Sequence, residues 1–301
     1  SISHHLDFAL YIEGPATLGL TRYCQLIFSK ASQKKIKFDK DTTIRKSYLN
    51  GVSLKISIND WIYRRWQITK QYSELTQSAK KSIIIVNSYF FPRRKFMKQL
   101  AAAAKRGIRV RLIFPKISDW PSYVLATQYL YGYFLKNGVE IYQWKKTIMH
   151  GKLAIIDEVW STIGSFNLNY TSYQQNLEMN VDIYSKYFSK NLNDKIENII
   201  DTDCEKIVAT DFFEKSSVKI KFLRFLFYIL LQMVANLSIG LAFQEAENRS
   251  RFYKVLYVIL SLVFFIIGII GSFHPAFSGG IYFIIGLILL GGQVLFNNKN
   301  V

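Results

Sequence analysis

The 301-residue sequence predicts an α/β domain of layered sheet and helices, followed by C-terminal membrane helices. Three observations predict it. Between Val52 and Ile200, short apolar runs alternate with longer helical patterns, the order that builds a layered α/β domain. Beyond that stretch, Val255–Phe273 and Ala276–Phe296 are uncharged runs of 19 and 21 residues, each long enough to cross hydrocarbon as a helix. His274-Pro275 parts them, so they read as a membrane hairpin. Charge divides at the same place: of a formal +18, residues from Phe222 onward carry +3 and the first part +15.

Element by element, Asp7–Glu13 reads as a strand with Phe8, Leu10 and Ile12 on one face, closed by Gly14-Pro15. Pro15 suits the first turn of a helix running to about Ser29. Lys34–Asn50 is basic and polar, a linker or exposed loop. Val52–Ile58 alternates as a strand, and Tyr63–Lys80 fits a helix. Ile83–Asn87 is a buried strand, Arg94–Lys105 an Ala-rich helix ended by Gly107, and Val110–Phe114 a strand. Ser122–Lys136 is an aromatic helix ended by Gly138, and Val139–Tyr142 a short strand. Strands at Lys152–Ile156, Trp160–Ile163 and Val181–Tyr184 precede a polar helix over Lys186–Ile200.

The strand at Lys152 follows His150, which places an imidazole and an ammonium two residues apart. Alternation along a strand points both side chains the same way. An imidazole beside a fixed cation suits displacement at a phosphodiester: the cation holds non-bridging oxygens while the imidazole works on phosphorus or the leaving group. The pair alone reads more simply as two satisfied polar groups at a strand edge. The strongly basic composition and pI near 9.7 call for an anionic partner, either nucleic acid or an acidic lipid surface. Cys24 and Cys204 cannot form a disulfide framework. No His/Cys/carboxylate cluster has metal-ligand spacing, so neither metal nor other cofactor is expected.

His150, Lys152 and Asp157, with Gly164, Ser165 and Asn167 downstream, fit without a gap the His-x-Lys-x4-Asp…Gly-Ser-x-Asn signature. On these residues the chain resembles the phospholipase D superfamily. The resemblance implies a phospholipase D-type fold and a catalytic set of His150, Lys152, Asp157 and Glu178. The histidine would be a covalent nucleophile or a general acid. Lys152 and Asn167, assisted by Ser165, would grip the phosphate. Glu178, in Asn176-Leu-Glu178-Met-Asn180, would hold the His150 ring, and Asp157 would have a structural or orienting role.

Tyr89-Phe-Phe-Pro92, Ala103-Ala-Lys-Arg-Gly107-Ile-Arg-Val-Arg-Leu, Asn137-Gly-Val-Glu-Ile-Tyr142 and the stretch from Asn59-Asp60 through Arg64-Arg65 resemble the second half of bacterial cardiolipin synthases, above all the short B type. That likeness runs from about Asp7 to Ile207. The family carries two His-x-Lys motifs and this chain one, since Leu6 and Asp7 stand where a lysine would follow His4 or His5. Residues 1–31 accordingly resemble the end of a first half. Residues 32–58 would be a linker with the strand leading in, 59–214 the second catalytic half, and 215–301 a membrane region.

The resemblance implies a membrane-bound phosphatidyltransferase acting through a phosphohistidine on anionic phospholipids, phosphatidylglycerol and cardiolipin, at the bacterial cytoplasmic membrane with the catalytic domain facing the cytoplasm. A hydrolase or nuclease of the same superfamily, an inactive half-site, or a non-catalytic membrane protein are the alternatives; nucleic acid is not the expected partner. The missing motif would come from upstream sequence or from a second copy in a dimer. Along Phe222–Phe243, Arg224, Tyr228, Gln232 and Asn236 form a polar stripe with Lys221 just before the segment, which suits a helix lying in an anionic interface or, alternatively, one that spans.

Overall fold

The computed structural model describes residues 5–32, 52–60 and 65–243. In chain order the elements are β1 (His5–Leu6), α1 (Ala16–Ser32), β2 (Ser53–Asp60), β3 (Arg65–Trp66), α2 (Gln67–Ser78), β4 (Ser82–Asn87), α3 (Arg94–Lys105), β5 (Arg109–Pro115), α4 (Pro121–Lys136) and β6 (Glu140–Trp144). There follow β7 (Ile148–Met149), β8 (Lys152–Ile156), β9 (Trp160–Gly164), α5 (Tyr170–Gln174), β10 (Leu177–Tyr184), α6 (Lys186–Asp203), β11 (Cys204–Lys206), α7 (Ala209–Glu214) and α8 (Val218–Phe243).

Nine strands form one mixed sheet in the order β11-β6-β5-β4-β8-β9-β10-β2-β3. β4, β5 and β6 run parallel, joined by α3 and α4, and the other pairings are antiparallel. The central strands β4 and β8 are covered on both faces, and their apolar runs Ile83–Val86 and Leu153–Ile156 are buried throughout. On one face Ile84, Val86, Leu153, Ile155 and Ile163 pack beneath Ile196 and Ile200 of α6. On the other, α2 and α3 lie over the sheet, with Tyr72 edge-on to Phe96 and Trp160. The motif strand is thus fixed from both sides, and its N-terminal end opens at the rim where the candidate residues gather.

Three expectations change in the structure. Asp7–Glu13 keeps the expected alternation, with Phe8, Leu10 and Ile12 half-buried and their neighbours exposed, yet it joins no sheet. Only His5 and Leu6 pair, in parallel, with Ile148 and Met149 of β7. The expected helix from Tyr63 begins at Gln67, because Asn59 on the adjoining β2 supplies the start. Its Oδ1 accepts from the backbone N–H of Ile68 at 3.1 Å and of Thr69 at 3.4 Å, two groups that a helix cannot satisfy internally.

The third change concerns α8. Its stripe does not all face outward. Arg224 is buried, with Nε donating to Gln128 at 2.9 Å, Nη1 to Ser216 at 2.9 Å, and the guanidinium over the Phe212 ring. Tyr228 packs on Phe91 and Tyr129, and Gln232 donates to the Tyr170 hydroxyl. Burying a guanidinium requires partners, and Gln128 of α4, Phe212 of α7 and Ser216 before α8 supply them, so much of the helix's polar side becomes a docking face. The first compact unit accordingly runs from Ser1 to Asn236, and a second from Leu237 to Val301. Among the described residues no helix is long and apolar enough to cross a membrane. The linker at 34–50, His4 and the hairpin at 255–296 lie outside the described residues.

Candidate active site

His150 stands just before β8, and its backbone N–H donates to the Leu6 carbonyl at 2.8 Å. The short pairing of β1 with β7 therefore carries Asp7 to the imidazole. His150 Nδ1 and Asp7 Oδ2 are 3.1 Å apart, and the imidazole is half-exposed. Gly151 admits Phe8: a Cβ at this position would strike the Phe8 ring. Lys152 is 4% exposed, and its ammonium donates to the His150 carbonyl. Burial pushes this ammonium down to about 8, against the upward pull of the Asp7, Glu178 and Asp119 carboxylates.

The second part of the motif comes from the end of β9. Gly164 faces the Asn180 side chain and the Met179 carbonyl so closely that no Cβ fits, which lets the chain turn into the cleft there. Ser165 then donates its hydroxyl to Glu178 at 2.5 Å. Glu178, 5% exposed, also accepts from Ser172 at 2.6 Å and from Asn176 at 3.0 Å. Asn167 lines the same space, and its Oδ1 is buried with no hydrogen-bond partner.

His150, Lys152, Ser165, Asn167 and Glu178 thus share one open cleft of about 650 Å³, whose apolar wall includes Leu10, Ile163 and Val181. Asp157 is not among its lining residues. It lies at the opposite end of β8, roughly 16 Å of strand away. There its carboxylate accepts from the backbone N–H groups of Lys80, Lys81 and Ser82 at 2.8, 2.7 and 2.9 Å. Asp157 and Glu158 both have positive φ and form the turn between β8 and β9. The geometry therefore gives Asp157 the structural role: it ties that turn to the start of β4.

The expected contact of Glu178 with the His150 ring is replaced by Asp7. The sequence signal for Asp7 is an internal echo. Asp7-Phe-Ala-Leu-Tyr-Ile precedes α1 as Glu178-Met-Asn-Val-Asp-Ile precedes α6, acid for acid and apolar residue for apolar residue. A second unread pair is Tyr89 and Asp119. The Tyr89 ring lies 6.2 Å from that of His150, and its hydroxyl donates to Asp119 at 2.6 and 2.8 Å. Burial and this carboxylate raise the Tyr89 phenol. Against its own burial, Asp119 is held below the usual carboxylate range by hydrogen bonds from Tyr89 and Ser118.

His150 just before β8, Lys152 within it and the Gly164-Ser165-x-Asn167 turn meet at one cleft of a mixed sheet, an arrangement that resembles domains of the phospholipase D type. Residues 72–200 match the family described as cardiolipin synthase, PLD-like domain. The chain is 37% identical over 146 residues to cardiolipin synthase B of Escherichia coli K12, covering 48% of this chain and 35% of that protein. It is 30% identical over 195 residues to cardiolipin synthase 1 of Staphylococcus epidermidis, covering 64% and 39%. The chain thus matches little more than a third of these relatives' length. The solved phosphatidylserine synthase of Haemophilus influenzae overlays with a TM-score of 0.50 at 14% identity, over 76% of this chain and 56% of that one, a likeness of fold.

Proposed function

We propose that the cleft is one half of a phosphatidyltransferase site of the cardiolipin synthase type, completed by a second His-x-Lys motif. The observation that carries this reading is the sharing of one cleft by His150, Lys152, Ser165, Asn167 and Glu178, with Asp7 on the imidazole. Two imidazoles make the chemistry balance. One attacks phosphorus, and the departing head-group alkoxide takes a proton from the other. An acceptor hydroxyl then returns its proton to the second imidazole and attacks phosphorus, freeing the first. Lys152 and Asn167 would hold the non-bridging oxygens as charge builds on them.

The echo between Asp7 and Glu178 supports a crossed arrangement. Asp7, from the segment that resembles the end of a first half, holds the histidine of the second. Its counterpart Glu178 faces the same cleft, positioned by Ser165, Ser172 and Asn176, and suits the imidazole of the other motif. His150 is then the acid/base partner, and the nucleophile belongs to the motif that completes the site. Further sequence of the same polypeptide or a second copy would supply it. The substrate is an anionic phospholipid such as phosphatidylglycerol. The apolar runs at 255–273 and 276–296 would hold the enzyme at the bacterial cytoplasmic membrane, with its catalytic domain toward the cytoplasm. With water as acceptor the same steps give a hydrolase, and assay for the alcohol product in the complete enzyme separates the two.

The site carries a pH signature. Lys152 is cationic below about 8 and neutral above. Binding of a soluble phosphodiester, whose own charge is constant in this range, should weaken as pH rises through about 8. Lys152→Arg, which keeps its charge, should flatten that decline. Inhibition constants for the complete enzyme measured across this range test it, and affinity independent of pH would remove Lys152 from phosphate binding.

A further inference from the structure

We infer that the outer face of α8 is a docking surface for an anionic bilayer, separate from the apolar runs that follow it. With the buried side of the helix committed to α4 and α5, its outward arc is apolar. Val218, Phe222 and Phe225 are 81%, 59% and 45% exposed. At 100° per residue they fall within roughly a sixth of the circumference. Lys219 and Lys221, both exposed, flank that arc, one on each side. Tyr129 on α4 extends the surface, with its ring 5.7 Å from that of Phe225.

Two features choose the occupant. A contiguous aromatic patch exposed to water marks an interaction surface. Lysines on both flanks of an apolar helical arc match the depth profile of a bilayer margin, with rings among acyl chains and ammonium groups among anionic phosphates. The chain's net +18 favours the same partner. The α8 helix also descends toward the catalytic end of the domain. Its contacts move from Gln128 and Tyr129 at Arg224 and Phe225 to Tyr170 at Gln232, three residues after Asn167 in sequence. Docking along this arc would hold the cleft at a defined tilt to the surface.

The inference rests on the proposed lipid substrate only for its biological use, and its test does not involve turnover. In the full chain carrying Cys24→Ser and Cys204→Ser, nitroxide labels are placed one at a time through Phe222→Cys, Phe225→Cys and, as control, Tyr187→Cys on α6. Vesicles of phosphatidylglycerol should cut collisions of the first two labels with a water-soluble nickel chelate by about an order of magnitude and raise their collisions with oxygen. The control label should be unaffected, and vesicles of phosphatidylcholine, or Lys219→Glu with Lys221→Glu, should weaken the change. Labels at 222 and 225 as wet as the control overturn the proposal. So does shielding already present without vesicles, which would mean that protein covers this face. Either failure leaves the assignment of His150 standing, and an inactive cleft leaves this surface standing.

Discussion

His150→Ala in the complete enzyme is expected to lower kcat by about four orders of magnitude or more, with the fold intact. Removing one member of an acid/base and nucleophile set typically costs on that scale, because the remaining groups cannot take over its proton. The imidazole is half-exposed and packs little of the core, so its loss leaves a solvated gap rather than a cavity. Its one ring nitrogen on Asp7 gives a second, smaller test. Asp7→Asn should reduce kcat by a lesser factor, since the amide can still orient the ring but lacks the carboxylate's charge. Assay on phosphatidylglycerol vesicles, with circular dichroism to check folding, decides both. Activity of His150→Ala within a few-fold of the parent would remove the imidazole from the reaction.

Asp157→Ala should act on stability instead. Three backbone N–H groups lose their carboxylate acceptor, and a residue with φ of 54° is replaced by one that tolerates that conformation less well. Hydrogen bonds to a charged acceptor contribute about 1.5–3 kcal/mol each, but this site is partly solvated, so a loss of about 3–4 kcal/mol is expected. Asp157→Asn, which keeps one acceptor oxygen and the turn preference, should lose about half of that. Urea denaturation gives the stability, and specific activity per folded molecule gives the role. A catalytic Asp157 would instead leave the midpoint in place and remove activity.

Much of the sheet was legible because its central strands are covered twice. Runs such as Ile83–Asn87 and Lys152–Ile156 announce burial by composition alone, and Gly107 and Gly138 mark the ends of the helices before them. Short elements escaped. β3, β7 and β11 are two or three residues long, too brief for periodicity to register, and pairing alone defines them. Asp7–Glu13 misled in another way. Its alternation correctly reports a half-buried face, but alternation does not show whether a strand has a neighbour.

At the site, the motif residues other than Asp157 could be placed in one cleft from spacing and resemblance. Which carboxylate meets which histidine could not. That depends on the parallel pairing of His5 and Leu6 with β7, a contact between residues far apart in sequence. Asp157 shows the converse limit, since membership of a motif does not say whether a side chain serves the reaction or the turn that ends the strand. The polar stripe of α8 reads equally as a face for water or for a partner, and the acceptor that decides it, Gln128, lies on another helix.

The most direct measurement of the composite site is lipid turnover by the 301-residue chain itself, in a preparation whose mass is read by light scattering at the assay concentration. A monomer with one His-x-Lys pair supplies only one motif imidazole, where the proposed displacement uses two. The expected result is therefore no detectable transfer from phosphatidylglycerol, with activity appearing when a second motif is supplied by a longer polypeptide or a second copy. Robust turnover by a species shown to be monomeric would contradict it.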